Sequence, residues 1–214
     1  MKNLKKCQCG KTRNPNGNCD GSHSKNKFKN LSFIILSIIF SLAFGNNNEN
    51  KKVDAQKSKI EWKADKVTGS HNGTINIKNG HLIFNKDVLA GGEFEIDMNS
   101  IECVDLEGEW KNKLEGHLKS DDFFSVENFQ ISKLKITKVK QLTSNKYECI
   151  ALLTIKDQSK KIKFEAIVLK DSARANILID RTQFNIKYGS GSFFKGLGDN
   201  MIYDEFSLNI NLIF

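Results

Sequence analysis

Tyr147-Glu-Cys-Ile-Ala-Leu-Leu-Thr-Ile155 and Ile162-Lys-Phe-Glu-Ala-Ile-Val168 decide the fold class. In the first stretch Tyr147, Cys149, Ala151, Leu153 and Ile155 fall on one face. In the second, Ile162, Phe164, Ala166 and Val168 do the same, with charged residues between them. A repeat of two means extended strands with one buried and one wet face. The polar run Asp157-Gln158-Ser159 between them reads as a tight turn, so the two strands are antiparallel neighbours.

The same pattern spreads outward in both directions. Ile60 and Trp62 alternate with charges, as do Ile75 and Ile77, then Phe94, Ile96 and Met98, then Leu134 and Ile136. Phe206, Leu208, Ile210, Leu212 and Phe214 continue it to the last residue. About eight such strands joined by short polar turns make an all-β antiparallel sandwich or barrel. No proline follows Pro15, so nothing bars long central strands. One interruption is helical: Leu106, Trp110, Leu114 and Leu118 recur every fourth residue among charged neighbours. They predict an amphipathic helix of about three turns that covers one end of the barrel.

Charge separates this domain from what precedes it. The chain has 33 Lys+Arg and 25 Asp+Glu, a net +8. Residues 1–30 hold eight of the bases and one acid, which leaves 25 bases and 24 acids for the rest. The excess is therefore not a nucleic-acid-binding face on the folded domain. It stands directly before Leu31-Ser-Phe-Ile-Ile-Leu-Ser-Ile-Ile-Phe-Ser-Leu-Ala-Phe-Gly45, and a basic stretch before an apolar run is the mark of an export or anchor segment. Its 15 residues and the small-x-small Ala43-Phe44-Gly45 fit a cleaved signal peptide. The long basic leader fits a retained membrane anchor, and both readings stay open. Either one places the barrel across the inner membrane, in the periplasm or cell envelope. If the segment is retained, the N-terminus is cytoplasmic. Residues 46–57 read as a polar linker and 58–214 as the barrel domain.

The basic leader carries Cys7-Gln-Cys-Gly-Lys-Thr-Arg-Asn-Pro-Asn-Gly-Asn-Cys-Asp-Gly-Ser-His23. Thiolates and imidazole are ligands for iron–sulfur clusters or zinc. Gly10, Pro15, Gly17 and Gly21 let the loop turn back on itself. Its Cys-Asp-Gly-Ser-His end resembles the CDGSH iron–sulfur family, with a gap between Cys9 and Cys19 one residue longer than usual. The resemblance implies a [2Fe–2S] cluster held by Cys7, Cys9, Cys19 and His23.

The barrel domain resembles the YceI family. The phrases that carry this are Ser58-Lys-Ile-Glu-Trp62, Gly91-Gly-Glu-Phe-Glu-Ile-Asp-Met-Asn-Ser-Ile101, Leu114-Glu-Gly-His-Leu-Lys-Ser-Asp-Asp-Phe-Phe124, Leu153-Thr-Ile-Lys156, Asp180-Arg-Thr182, Tyr188-Gly-Ser-Gly-Ser-Phe-Phe194 and Leu197-Gly-Asp199. The resemblance implies a lipocalin-like barrel whose apolar interior holds a polyisoprenoid, an isoprenoid quinone or another lipid, as a carrier or storage module.

Candidate ligand contacts are Trp62, Phe94, Trp110, Phe123, Phe124, Arg181, Tyr188, Phe193 and Phe194. Paired aromatics in Gly- and Ser-rich settings suit a pocket mouth. Arg181 suits either a polar head group or an ion pair. Asp180 and Arg181, read as strand neighbours, point to opposite faces. Two further readings stay open: an electron-transfer protein built on the N-terminal cluster, and a structural or stress-related module with a filled core. Catalysis has little support, because His117, with Asp121 and Asp122 nearby, has no matching nucleophile. Cys103 and Cys149 could pair outside the cytoplasm, or Cys149 could be a small buried side chain on its apolar strand face.

Overall fold

The computed structural model describes residues 15–16 and 48–214. The cluster ligands Cys7, Cys9, Cys19 and His23 and the apolar segment 31–45 lie outside the described residues. Within the compact unit Asn47–Phe214 the strands are β1 (Asn48–Lys52), β2 (Lys59–Lys66), β3 (Gly69–Asn85), β4 (Val88–Cys103), β5 (Ile131–Gln141), β6 (Lys146–Ile155), β7 (Gln158–Val168), β8 (Ser172–Asp180) and β9 (Ile202–Ile213). A helix, α1 (Gly108–Lys119), lies between β4 and β5.

Strands β2 to β9 form a closed antiparallel barrel of eight strands. Seven neighbours follow one another in sequence, and β9 returns to pair with β2 and close the ring. Closure leaves none of these strands with a free edge over its whole length. β6 alternates without a break, with Tyr147, Cys149, Ala151, Leu153 and Ile155 all buried. β3 and β4 do not keep one parity. In β3 the buried positions are Gly73 and Ile77, then Gly80, Leu82 and Phe84. The register shift between Ile77 and Asn79 inserts one residue and moves the inward face from odd to even positions.

The stretch 46–57 departs from its linker reading. Asn48–Lys52 pairs with Asn85–His81 on the same side of β3 that β2 occupies further along. Backbone pairing does not depend on apolar side chains, so composition concealed the strand. Val53 then buries itself in the core, and Ala55 packs beside it.

The interior divides toward two ends. At one end Val53, Phe84, Tyr147, Val168, Ala173 and Leu212 pack together. At the other, Phe123, Ile155, Ile179, Phe184 and Ile186 do so beneath α1 and the β8–β9 connection. β7 and β8 pair only over Ala166–Val168 and Ala173–Ala175. Near the unpaired stretch a short 3-10 turn, Arg181–Phe184, packs against β7, with Phe184 and Ile186 almost wholly buried. β8 thus ends at Asp180, and Arg181 opens this turn instead of continuing the strand. Asp180 caps it, its carboxylate accepting from the Thr182 N–H and hydroxyl.

α1 spans 12 residues, and none of them is fully buried. Leu118 reaches the barrel interior, whereas Trp110 is 71% exposed with the Lys113 ammonium 5.0 Å from its ring. A spacing of four drifts by about 40° per step around a helix of 3.6 residues per turn. Trp110 is two steps from Leu118 and has rotated off the inward face.

Candidate ligand cavity

Inward-facing side chains leave two adjoining cavities along the barrel axis. The first, of about 130 Å³, lies at the helix end, bounded by Trp62, Met98, Leu118, Phe123, Phe124 and Phe206 among others. The second, of about 100 Å³, lies toward the opposite end, with Leu82, Leu89, Phe94, Cys149 and Phe164 in its wall. Ile60, Ile96, Leu153, Ile179 and Leu208 belong to both walls. Strand geometry explains this: every second residue points inward, and each contributes one layer. The Trp62 indole leans over Gly73, where a Cβ would lie 2.6 Å from the ring, and donates to the Thr74 carbonyl at 3.2 Å. The missing side chain at Gly73 is what makes room for the indole beside the barrel wall.

Arg181 is the charged side chain in the first cavity's wall, and it is 4% exposed. Its guanidinium donates to four carbonyls: Nε to Tyr203 at 3.1 Å, Nη1 to Ile186 at 3.0 Å and Tyr188 at 2.8 Å, and Nη2 to Ile202 at 3.0 Å. Asp204 Oδ1 lies 3.6 Å from Nη2, too far for a hydrogen bond but close enough to balance the charge. Burial presses the basicity of Arg181 down while Asp204 and Asp180 support it. These bonds occupy the fork with backbone, so Arg181 ties β9 to the 188–190 turn and faces Phe123 at 5.7 Å from its ring centre.

The sequence-chosen contacts therefore separate. Trp62, Phe123, Phe124 and Arg181 line the first cavity and Phe94 the second. Trp110, Phe193 and Phe194 stand outside, the last two 50% and 51% exposed. Tyr188 is 46% exposed and sits on the rim, its ring edge-on to His117 at 4.5 Å. His117 also meets Phe123 at 4.9 Å, and its Nε2 is buried with no hydrogen-bond partner. Its neighbours are rings, not an acid–base pair. Aromatic content pointed to loops and missed the aliphatic wall; the inward parity of each strand carried the signal for it. Cys103 and Cys149 are both buried and free, without a bond between them. Burial pushes the Cys149 thiol up to about 11, with Glu148 adding to the effect.

An eight-stranded antiparallel barrel with an apolar interior that leaves space is an architecture able to hold one small hydrophobic ligand. The chain belongs to the YceI-like domain family, which matches residues 52–214. Its fold is similar to that of Burkholderia cenocepacia BcnA, at 20% identity and a TM-score of 0.59 over 76% of this chain and 99% of that one. It is also similar to a polyisoprenoid binding domain from Saccharophagus degradans implicated in plant cell wall breakdown. That match has 14% identity and a TM-score of 0.51 over 75% of this chain and 95% of that one. No curated protein is a significant match.

Proposed function

We propose that the barrel is an exported carrier or storage module for an apolar chain: a polyisoprenoid, an isoprenoid quinone or another lipid. The observation that carries this reading is the pair of adjoining apolar cavities with a shared aliphatic wall. Protein cores pack to crystal density, and voids of this total size left empty would cost on the order of 5 kcal/mol. A module with a filled core has no reason to bear that cost. A dry apolar cavity of about 150 Å³ takes one benzene. Each cavity here is on that scale, so a thin chain threaded through both suits the space better than a broad ring system. A chain longer than two such segments requires the Ile60–Leu208 wall to move or the helix end to open.

The test is organic extraction of the purified full-length protein followed by mass spectrometry. It should recover a stoichiometric apolar chain from wild type and none from Leu153→Trp, which fills the wall common to both cavities. Extracts from wild type that contain no lipid, together with no uptake of a hydrophobic fluorophore, would sink the carrier reading.

The N-terminal motif supports a second, separate proposal: a [2Fe–2S] cluster on Cys7, Cys9, Cys19 and His23. Anaerobically reconstituted protein should be red, and Cys19→Ser should bleach it. Colourless wild type would count against the cluster and leave the barrel proposal untouched.

A further inference from the structure

We propose that His71, Cys103 and Asp105 form a divalent transition-metal site at the helix end of the barrel, with zinc the best-suited ion. His71 lies near the start of β3, Cys103 ends β4, and Asp105 follows it. Pairing of Gly73 with Cys103 brings the three together. Their donor atoms, Nδ1, Sγ and a carboxylate oxygen, all lie within 4.8 Å of one another. His71 Nδ1 is 2.9 Å from Asp105 Oδ2, and Cys103 Sγ is 3.2 Å from Asp105 Oδ1. Zinc bonds of about 2.0–2.3 Å in a tetrahedron set donor-to-donor edges of roughly 3.3–3.6 Å. The two contacts to Asp105 are a few tenths of an ångström shorter than such edges, and the donor set as a whole spans no more than 4.8 Å, so side-chain adjustments of about 1 Å or less bring it to the zinc geometry.

The surroundings suit a cation of charge two. A soft thiolate and a borderline imidazole beside a single hard carboxylate favour zinc over magnesium or calcium. Thiolate and carboxylate together neutralise the ion. Asp105 is held from behind by the Asn72 N–H at 2.9 Å, and the Cys103 N–H donates to Glu115 of α1 at 2.9 Å. Such outer partners orient ligands and limit their freedom. His71 and Asp105 are partly exposed and give the ion a way in, while Cys103 is shielded.

Without metal, the geometry is that of a carboxylate accepting from three donors: the Asn72 N–H, the Cys103 thiol and the imidazole. Metal binding replaces the thiol and imidazole contacts and keeps the Asn72 one. The S–H bond breaks, the sulfur pair goes to the ion and one proton leaves to solvent. His71 then carries its proton on Nε2 and presents the Nδ1 lone pair. Binding therefore weakens as pH falls. Three protein ligands leave a fourth position for water, and the link from Cys103 to Glu115 couples the site to the helix over the first cavity.

The test uses the full-length chain carrying Cys7→Ser, Cys9→Ser and Cys19→Ser, so that the N-terminal motif contributes no thiolates. Anaerobic cobalt(II) titration should show one equivalent bound with a thiolate-to-metal charge-transfer band and tetrahedral visible bands. Cys103→Ser should abolish the charge-transfer band, and Cys149→Ser should keep it. His71→Gln, a change at a partly exposed position that leaves the fold intact by circular dichroism, should weaken binding about 10- to 100-fold. Zinc should raise the Tm of the parent by a few degrees and that of His71→Gln by less at the same zinc concentration. Cobalt bound without the charge-transfer band, or affinity unchanged in His71→Gln, would overturn the site and show adventitious binding only.

Discussion

The two ends of the barrel are closed by different physics. At the end where β3 turns into β4, apolar side chains do the work. Phe84 and Phe214 pack at 5.8 Å between ring centres, with the Lys51 ammonium 5.1 and 5.4 Å from the two rings. At the helix end the closure is polar in skeleton and aromatic in lining. The guanidinium of Arg181 holds the turns by their carbonyls, and His117, Phe123 and Tyr188 cluster above it. An apolar plug tolerates rearrangement, because dispersion and burial are not directional. A buried cation with four carbonyl acceptors does not, because each bond has a fixed direction and a large penalty for loss. The larger cavity lies at the end with the rigid frame and the thin helical cover. The helix that covers it, α1, buries no residue completely and meets the frame through His117.

Breaking the frame should have the largest effect. Arg181→Met leaves the Ile186, Tyr188, Ile202 and Tyr203 carbonyls and Asp204 without their cation. A loss of about 4 kcal/mol is expected on removal of one partner from such a buried set. Urea denaturation monitored by circular dichroism checks it, and a loss below about 1 kcal/mol would mean the carbonyls find other donors.

Truncating a ring at each end sharpens the contrast. Phe84→Ala and Phe123→Ala should each cost about 3 kcal/mol as core deletions. Only the second enlarges the first cavity, so only Phe123→Ala should change the affinity for an apolar fluorophore. Equal shifts in both variants would mean that the two ends share one ligand volume.

The two cysteines extend the comparison in a milder form. Cys149 sits in the apolar wall, where burial raises its thiol to about 11 from an ordinary value of 9.0. A folded-state value above the unfolded one stabilises the fold below pH 9 and is lost as pH rises through 11. That single group should remove about 2 kcal/mol between pH 9 and pH 11. Cys149→Ala should flatten that part of the pH–stability curve, at the cost of a small void. An unchanged alkaline slope would mean the thiolate is relieved by local opening. Cys103 differs in kind, because besides burial its thiol has a carboxylate to donate to, Asp105.

Most of the barrel was legible from periodicity. β6 and β7 read correctly because each strand keeps one parity along its whole length. β1 was not legible, since its residues Asn-Glu-Asn-Lys-Lys have no apolar signal and are held by backbone pairing to β3. Arg181 was legible as a candidate but not as a frame, because the carbonyls it holds come from residues 186–188 and 202–203. The aliphatic wall was present in the pattern, yet aromatic loops drew attention away from it. Phe193 and Phe194 have the composition of a pocket mouth and the exposure of a surface turn.

The amino-acid sequence by itself determined which residues alternate, and therefore that this chain is a set of half-buried antiparallel strands. It also set the family and the separation of a basic leader from a nearly neutral domain. Tertiary structure alone decided where parity flips. The register shifts in β3 depend on the partner strand, and no residue type announces them. It also decided which inward side chains meet across the interior and which leave space. Alternation is a local property of one strand, set by the pleat. A cavity, a guanidinium cradle and a His–Cys–Asp cluster are properties of segments far apart in the chain, and only the closing of the ring brings their atoms within reach.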